Sequence, residues 1–135
     1  MGQTVTAYLS VRGAAEAIEF YKRAFGAEER YRIPNPDGRI GHAELSFGDS
    51  IVSLADEWPE MGVLSPLSRG GTTVSLVLEV PDCDAVFERA VAAGASIERP
   101  LTDAPYGRGG WLIDPFGHRW SVMTPNPEFK PEDLA

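Results

Sequence analysis

The sequence predicts an α+β domain made of two tandem βαβββ modules that form a curved mixed sheet, with helices outside and a concave trough inside. A strand followed by an amphipathic helix occurs twice, and the copies are about 69 residues apart. Leu9 and Val11 in the first copy correspond to Leu78 and Val80 in the second. The 135 residues suit a single domain. We place module one at about 4–55, a linker loop at about 56–71, module two at about 72–124 and a tail at 125–135.

The first module begins with an alternating strand over 6–11. A helix follows, because apolar residues recur at helical spacing and Gly26 stands where a left-handed C-cap is expected. The apolar residues are Ala14, Ala17, Ile18, Tyr21 and Phe25. Three strands are then predicted at 29–33, 41–47 and 50–55, separated by turn sequences.

The second module repeats this order. An alternating strand over 74–80 precedes a helix with Asp82 as its N-cap and Gly94 as its stop. Val86, Ala90 and Ala93 supply the apolar stripe of this helix. Strands are predicted at 96–99, 110–113 and 119–123. One helix covers only one face of each four-stranded unit, so the other faces should form the trough where a ligand binds.

Strand alternation assigns polar, small and aromatic side chains to the trough face. These are Thr6, Tyr8, Ser10, His42, Glu44, Ser46, Ile51, Ser53, Ala55, Ser75, Val77, Glu79, Arg119, Ser121 and Met123. Strands facing plain water would show the same pattern, so a binding surface and a bare surface are both open. Trp120 has the parity of the helix-covered face, whereas Trp111 fits either face.

Aromatic residues strengthen the binding interpretation, because they could sandwich a flat guest. Arg108, in the loop after Tyr106, is a contact for an anionic group or a solvated loop residue. The predicted ligand-binding residues are Tyr8, Ser10, His42, Glu44, Ser53, Trp58, Ser75, Val77, Tyr106, Arg108, Trp111 and Met123.

Only two histidines are present. His42 and Glu44 form a His-x-Glu pair on one strand face, which could bind a metal or exchange protons, or could be an ordinary half-exposed pair. His118 is predicted to be a turn residue. No reactive thiol, phosphate loop or catalytic triad is evident, so no catalytic residue is assigned.

Three segments resemble a known family: the strand at 8–11, the helix at 17–27 and the Asp-Pro-Phe-Gly-His-Arg-Trp sequence at 114–120. They are similar to the glyoxalase, bleomycin-resistance and extradiol-dioxygenase superfamily, also called vicinal oxygen chelate proteins. Within it, the chain looks like small bacterial glyoxalase-like proteins similar to phosphonate-operon protein B. The resemblance covers about 4–124. It implies the fold but not one activity, since the superfamily includes isomerases, epoxide-opening transferases, dioxygenases and antibiotic-sequestering proteins.

Metal-dependent members of that superfamily place His or Glu ligands on the first and last strands of each half. The resemblance puts these positions at Thr6, Ser53, Ser75 and Ser121, which all carry hydroxyls. Neutral hydroxyls are poor ligands for zinc, nickel, iron or manganese, so we expect neither a metal nor a cofactor.

The leading hypothesis is a metal-free protein that sequesters a small aromatic or cationic compound, as the bleomycin-resistance relatives do. The net charge of -8 favours a cation. The alternatives are a lyase, isomerase or dioxygenase with a non-standard or absent metal site, and a member with no small ligand.

Charge and composition also narrow the expected partners. Twenty acidic against twelve basic residues disfavour nucleic acid, and no apolar run is long enough to cross a bilayer. The lone Cys83 has no disulfide partner, which suits a reducing compartment, so we expect a cytoplasmic protein. The resemblance implies a homodimer, with the trough either within one chain or shared between two.

Overall fold

A computed structural model describes residues 2–134 of the chain, and it confirms the α+β class and the two tandem βαβββ modules. Module one consists of β1 (Ala7–Val11), α1 (Ala14–Phe25), β2 (Glu28–Pro34), β3 (Ile40–Phe47) and β4 (Ser50–Asp56). The connecting segment holds a 3-10 turn (Pro59–Met61) and the one-turn helix α2 (Pro66–Arg69). Module two consists of β5 (Ser75–Glu79), α3 (Cys83–Ala93), β6 (Ser96–Ala104), β7 (Gly107–Ile113) and β8 (Arg119–Pro125). No helix within 2–134 is both long and apolar enough to cross a bilayer.

Two regions that were predicted to be loops contain regular secondary structure. The 56–71 segment contains the two short helical turns, and β4 runs on to Asp56. Strands β6 and β7 extend to Ala104 and back from Gly107, because they pair with each other over this length. Pro100 is tolerated within the edge strand β6 because it lies between Arg99 and Thr102, where the regular pairing with β7 is interrupted.

The eight strands are divided between two four-stranded mixed sheets, one per module. Their strand orders are β1-β4-β3-β2 and β5-β8-β7-β6. In the first sheet β1 pairs with β4 in parallel, and in the second β5 pairs with β8 in parallel. Tyr8 lies beside Ser53 in the first sheet, and Val77 lies beside Ser121 in the second. The internal repeat in the sequence is therefore a repeat of strand register.

One hydrophobic core joins the two modules. Helices α1 and α3 pack on their own sheets and against each other. Trp120 is buried on the covered face, as predicted, where its ring centroid lies 5.4 Å from that of Phe47 in module one. Phe87, which the predicted stripe of α3 omitted, is also buried in this core.

A buried carboxylate fastens the modules together. Asp114, only 3% exposed, accepts hydrogen bonds from the Tyr21 hydroxyl (2.6 Å) and from Trp120 Nε1 (2.9 Å). Its other oxygen accepts the backbone N–H groups of Phe116 and His118. Burial, followed by the charge of Asp114, raises the pKa of Tyr21 well above its usual value. The two most recognisable segments of the sequence, the first helix and the 114–120 turn, thus meet in one hydrogen-bonded cluster.

Candidate functional site

Two open cavities lie beside β1, the edge strand of the first sheet; because they share lining residues, we call them the two lobes of the β1 cleft. Tyr8 and Ser10 line both lobes. The first lobe has a volume of about 620 Å³ and is also lined by Leu64, Pro66, Arg69, Gly70, Gly71, Thr72, Thr73 and His118. The second lobe, of about 520 Å³, is also lined by Asn35, Gly41, Ala55, Asp56, Trp58 and Val63.

The connecting segment forms a wall of the cleft, and Glu57 holds it in place. Its carboxylate accepts hydrogen bonds from the Ser65 backbone N–H (3.0 Å) and the Ser68 hydroxyl (2.7 Å), and it pairs with Arg12. These donors, chiefly the Ser65 N–H, lower the pKa of Glu57 to about 2. The wall is therefore fixed by a charged group rather than by apolar packing alone.

Trp58 supplies the aromatic surface of the second lobe. The guanidinium of Arg39 lies 3.7 Å from the centre of its ring, and Arg39 is itself held by Asp37 and Glu60. Backbone hydrogen bonds between Trp58 and Val63 close the small turn that carries the indole. One ring face is therefore occupied by a cation of the chain itself.

His42 lies between two tyrosines on the open face of the first sheet. Its Nδ1 is 2.8 Å from the Tyr8 hydroxyl and its Nε2 is 3.1 Å from the Tyr31 hydroxyl. Burial and then Tyr31 raise the pKa of Tyr8 above its usual value. Glu44 lies on the same face of β3 and forms an ion pair with Arg30 at 2.8 Å.

Sequence reasoning missed Tyr31, although the signal was present. Tyr31 lies opposite Glu44 in the antiparallel β2–β3 pair, and directly opposed residues point to the same face. Extending the alternation from β3 to β2 would have placed Tyr31 beside His42.

Two further residues line the cleft, His118 and Asp56. His118 lies in the β7–β8 turn, as expected, but also lines the first lobe, where its Nε2 donates to the Ser10 carbonyl at 3.0 Å. Asp56 lines the second lobe, and its carboxylate accepts the backbone N–H groups of Gly13, Ala14 and Ile40. Its charge thereby stabilises the start of α1, which has no side-chain cap of its own.

The remaining predicted site residues belong to module two, and none of them lines the β1 cleft. Trp111 lies beside Ser121, is 40% exposed and has the Arg99 guanidinium 5.0 Å from its ring centre. A cavity of only about 50 Å³ brings together Tyr106, Arg108, Trp111 and Met123. Ser75 and Val77 lie on β5, the strand next to β8, and both are exposed to solvent.

The prediction that Arg108 lies in a loop is wrong. Arg108 lies within β7 and forms a two-pronged ion pair with Asp84, with Asp103 as a further partner. The charge of Asp84 and Asp103 raises the pKa of Arg108. The Arg108 side chain is therefore already paired with carboxylates of module two.

The four positions of the family's metal ligands carry no suitable donors. Ser53 lies beside Tyr8 rather than Thr6, and Ser121 lies beside Val77 rather than Ser75, so each predicted pair is offset along its strands. Neither set contains an imidazole or a carboxylate. Within residues 2–134, no group of three or more His, Cys, Asp or Glu side chains could hold a metal ion. These residues do not fit the divalent cation of the metal-dependent relatives.

Comparisons with known proteins agree with this fold. The family model of the Glyoxalase/Bleomycin resistance protein/Dioxygenase superfamily matches residues 2–122. The uncharacterized protein Mb0911c of Mycobacterium bovis is 43% identical over 94% of this chain and 86% of its own length. The anthracycline biosynthesis protein DnrV of Streptomyces peucetius is 43% identical over 82% of this chain, which spans only 37% of DnrV.

A solved structure supports the fold alone. The fosfomycin resistance protein FosX of Listeria monocytogenes, solved with manganese(II), superposes with a TM-score of 0.76 at 16% identity. The match covers 100% of this chain and 99% of FosX.

Proposed function

Because the chain belongs to the glyoxalase, bleomycin resistance and dioxygenase superfamily, whose fold does not decide activity, we propose from its side chains that it binds a flat aromatic molecule without transforming it. The observation that carries this proposal is the β1 cleft. Its lobes of about 620 and 520 Å³ lie within the usual range of small-molecule sites. Tyr8 and Trp58 offer ring surfaces there, and Leu64 and Val63 add apolar walls.

The likeness to DnrV supports an aromatic guest. That protein is named for anthracycline biosynthesis, and anthracyclines contain fused planar rings. The net charge of the whole chain favours a cationic guest, but the cleft itself does not. Its one carboxylate, that of Asp56, already accepts three backbone N–H groups. We therefore propose the aromatic class.

We assign the guest to the β1 cleft rather than to module two on grounds of size. An engineered cavity of about 150 Å³ accommodates benzene, whereas the cavity beside Trp111 has about 50 Å³. The large exposed side chains on that open face, Val77 and Trp111, instead suit contact with a second copy of the chain. We propose a homodimer through this face, which light scattering after size-exclusion chromatography would test. A monomer at all concentrations would contradict it.

The second candidate is a metal-dependent lyase, isomerase or dioxygenase, as the manganese in the FosX structure suggests for that protein. The hydroxyl side chains at the ligand positions argue against it. Elemental analysis and thermal unfolding with nickel, zinc, iron or manganese distinguish the two. We expect no stoichiometric metal and no rise in Tm; a bound equivalent with a clear rise would favour the enzyme.

Thermal unfolding with a panel of flat aromatic compounds tests the binding proposal directly. A guest at a hundred times its Kd should stabilise the folded chain by about 2.7 kcal/mol. Calorimetry of the best compounds should give one site per chain and an affinity that falls in Tyr8→Ala. A broad panel without any stabilising compound would contradict the proposal.

A further inference from the structure

We propose that the second lobe of the β1 cleft recognises a carbonyl oxygen on the aromatic guest, with the Tyr8 hydroxyl and the Asn35 amide as hydrogen-bond donors. This inference rests on the proposed function and names the chemical class of its guest: aromatic ketones and quinones. Three sets of contacts support it, one around Gly41, one around His42 and one along the walls of the lobe.

Gly41 brings the two donors together. The Tyr8 hydroxyl lies 3.5 Å from the Gly41 carbonyl. The amide of Asn35 occupies the space that a side chain at residue 41 would need, with Oδ1 2.6 Å and Nδ2 3.1 Å from an ideal Cβ. Asn35 bonds to Gly38 and Arg39 through its backbone. Within the described chain, its side-chain amide therefore remains available to the lobe that it lines.

The contact of His42 with two phenols controls which way the Tyr8 hydroxyl points. A neutral imidazole carries one N–H, so one tyrosine must donate to it and the other must accept from it. If Tyr31 donates to Nε2, then Nδ1–H donates to the Tyr8 oxygen, and the Tyr8 hydrogen is left with only the long 3.5 Å bond to the Gly41 carbonyl, which a guest oxygen can replace. In the opposite arrangement, Tyr8 donates to Nδ1 and has no hydrogen left. A guest with an acceptor oxygen selects the first arrangement, and the chain of bonds strengthens the donor.

The walls of the lobe suit a ring that carries such an oxygen. Trp58, Val63 and Ala55 are apolar, and the Asp56 carboxylate is engaged by backbone N–H groups. The Tyr8 hydroxyl and the Asn35 amide provide donors, and the ring of Trp58 lines the same lobe. Beside a hydrocarbon of the same shape, the Tyr8 hydroxyl would keep its bond to His42 or to the Gly41 carbonyl, but the Asn35 amide would be left without an acceptor, which costs affinity.

Matched pairs of compounds isolate the contribution of the carbonyl. We would titrate the protein with 9-fluorenone against fluorene and with 1-indanone against indane, following tryptophan fluorescence and calorimetry. The wild-type chain should prefer each ketone by about tenfold, the effect of one well-formed hydrogen bond. Tyr8→Phe should remove most of this preference, measured as the ratio of the ketone and hydrocarbon affinities of the same variant. Tyr106→Phe, an exposed tyrosine of module two, is the matched control and should change neither affinity.

Two further variants test the positioning of the donors. Gly41→Ala should displace the Asn35 amide and lower the ketone preference about threefold; Gly41 has no positive φ, so the backbone accepts alanine. Tyr31→Phe should lower the preference by about twofold through His42, since Tyr31 acts as a positioning residue. Because both effects are ratios between two ligands, a general loss of stability would not imitate them.

The outcomes separate the inference from the proposed function. Equal binding of ketone and hydrocarbon by the wild-type chain, or an undiminished preference in Tyr8→Phe, would overturn the inference and leave the aromatic-binding proposal standing. Failure of both members of every pair to bind would overturn both.

Discussion

The two modules share one topology and one strand register, yet their open faces differ. In module one the row through Ser53 contains Tyr8, Glu44 and Tyr31, and these side chains have hydrogen-bond or ion-pair partners. In module two the equivalent row through Ser121 contains Val77, Trp111 and Arg99, with a cavity of about 50 Å³ beside it.

The segments that follow each module explain part of this difference. After β4, residues from the 57–73 segment line both lobes of the cleft beside β1. After β8, the tail contacts Tyr106 instead: the Asn126 N–H bonds to its carbonyl, and Phe129 packs edge-on against its ring. The two modules therefore share a backbone fold but not a binding site, because the segment that follows each module decides whether a cleft forms beside its first strand.

The largest effect should come from breaking the joint between the modules. Asp114→Ala leaves the Tyr21 hydroxyl, Trp120 Nε1 and two backbone N–H groups without their acceptor, so we expect a loss of about 3–5 kcal/mol in the free energy of unfolding. Urea unfolding measures it. Asp103→Ala, whose side chain is 81% exposed, is the control and should change stability by less than about 0.5 kcal/mol. A loss below about 1 kcal/mol in Asp114→Ala would show that the modules do not depend on this cluster.

The connecting segment that forms the wall of the β1 cleft should lose stability in acid, because Glu57 holds it in place. Its pKa of about 2 in the folded chain lies below the ordinary 4.5, so its contribution to stability is complete above pH 4.5 and is lost as the pH falls towards 2. Glu57→Gln should lower stability by about 1–2 kcal/mol at pH 7, because a charged acceptor is lost. The difference between wild type and variant should narrow between pH 4.5 and 2. Parallel stability curves across this range would contradict the assignment.

The choice between the two faces can be tested with their tryptophans. Trp58→Ala should weaken binding of a flat aromatic guest by at least about tenfold, because it removes the ring surface of the second lobe. Trp111→Ala should change the affinity by less than about twofold. Calorimetry on folded samples of both variants measures the difference, and the reverse order would move the site to module two.

The smallest effects should come from the two arginines that stack on these tryptophans. Arg39→Ala removes a 3.7 Å contact and two ion pairs, so the Tm should fall by about 3 °C. Arg99→Ala removes a 5.0 Å contact, and within residues 2–134 Arg99 has no carboxylate partner, so the Tm should fall by about 1 °C or less. Similar shifts in both variants would mean that the two faces are equally well ordered.

Much of the fold was predictable because strand and helix periodicities are local. The alternation in β1 placed Tyr8 and Ser10 on the open face, and the helical spacing placed Tyr21 in the core. Gly26 has the left-handed φ of 69° expected of the C-cap, and Asp82 caps α3. The cleft itself was not predictable, since the 56–71 segment has no periodicity that reports where it packs.

The sequence by itself determined the duplicated βαβββ order, the faces of the strands and the hydroxyl side chains at the family's ligand positions. These follow from spacing along the chain and from the chemistry of single residues. Only the tertiary structure decided that Tyr21 meets Asp114 across 93 residues and that His118 meets Ser10 across 108. It also decided that His42 lies between Tyr8 and Tyr31. Such contacts depend on how the modules and the connecting segment pack, and no local pattern in the sequence encodes that packing.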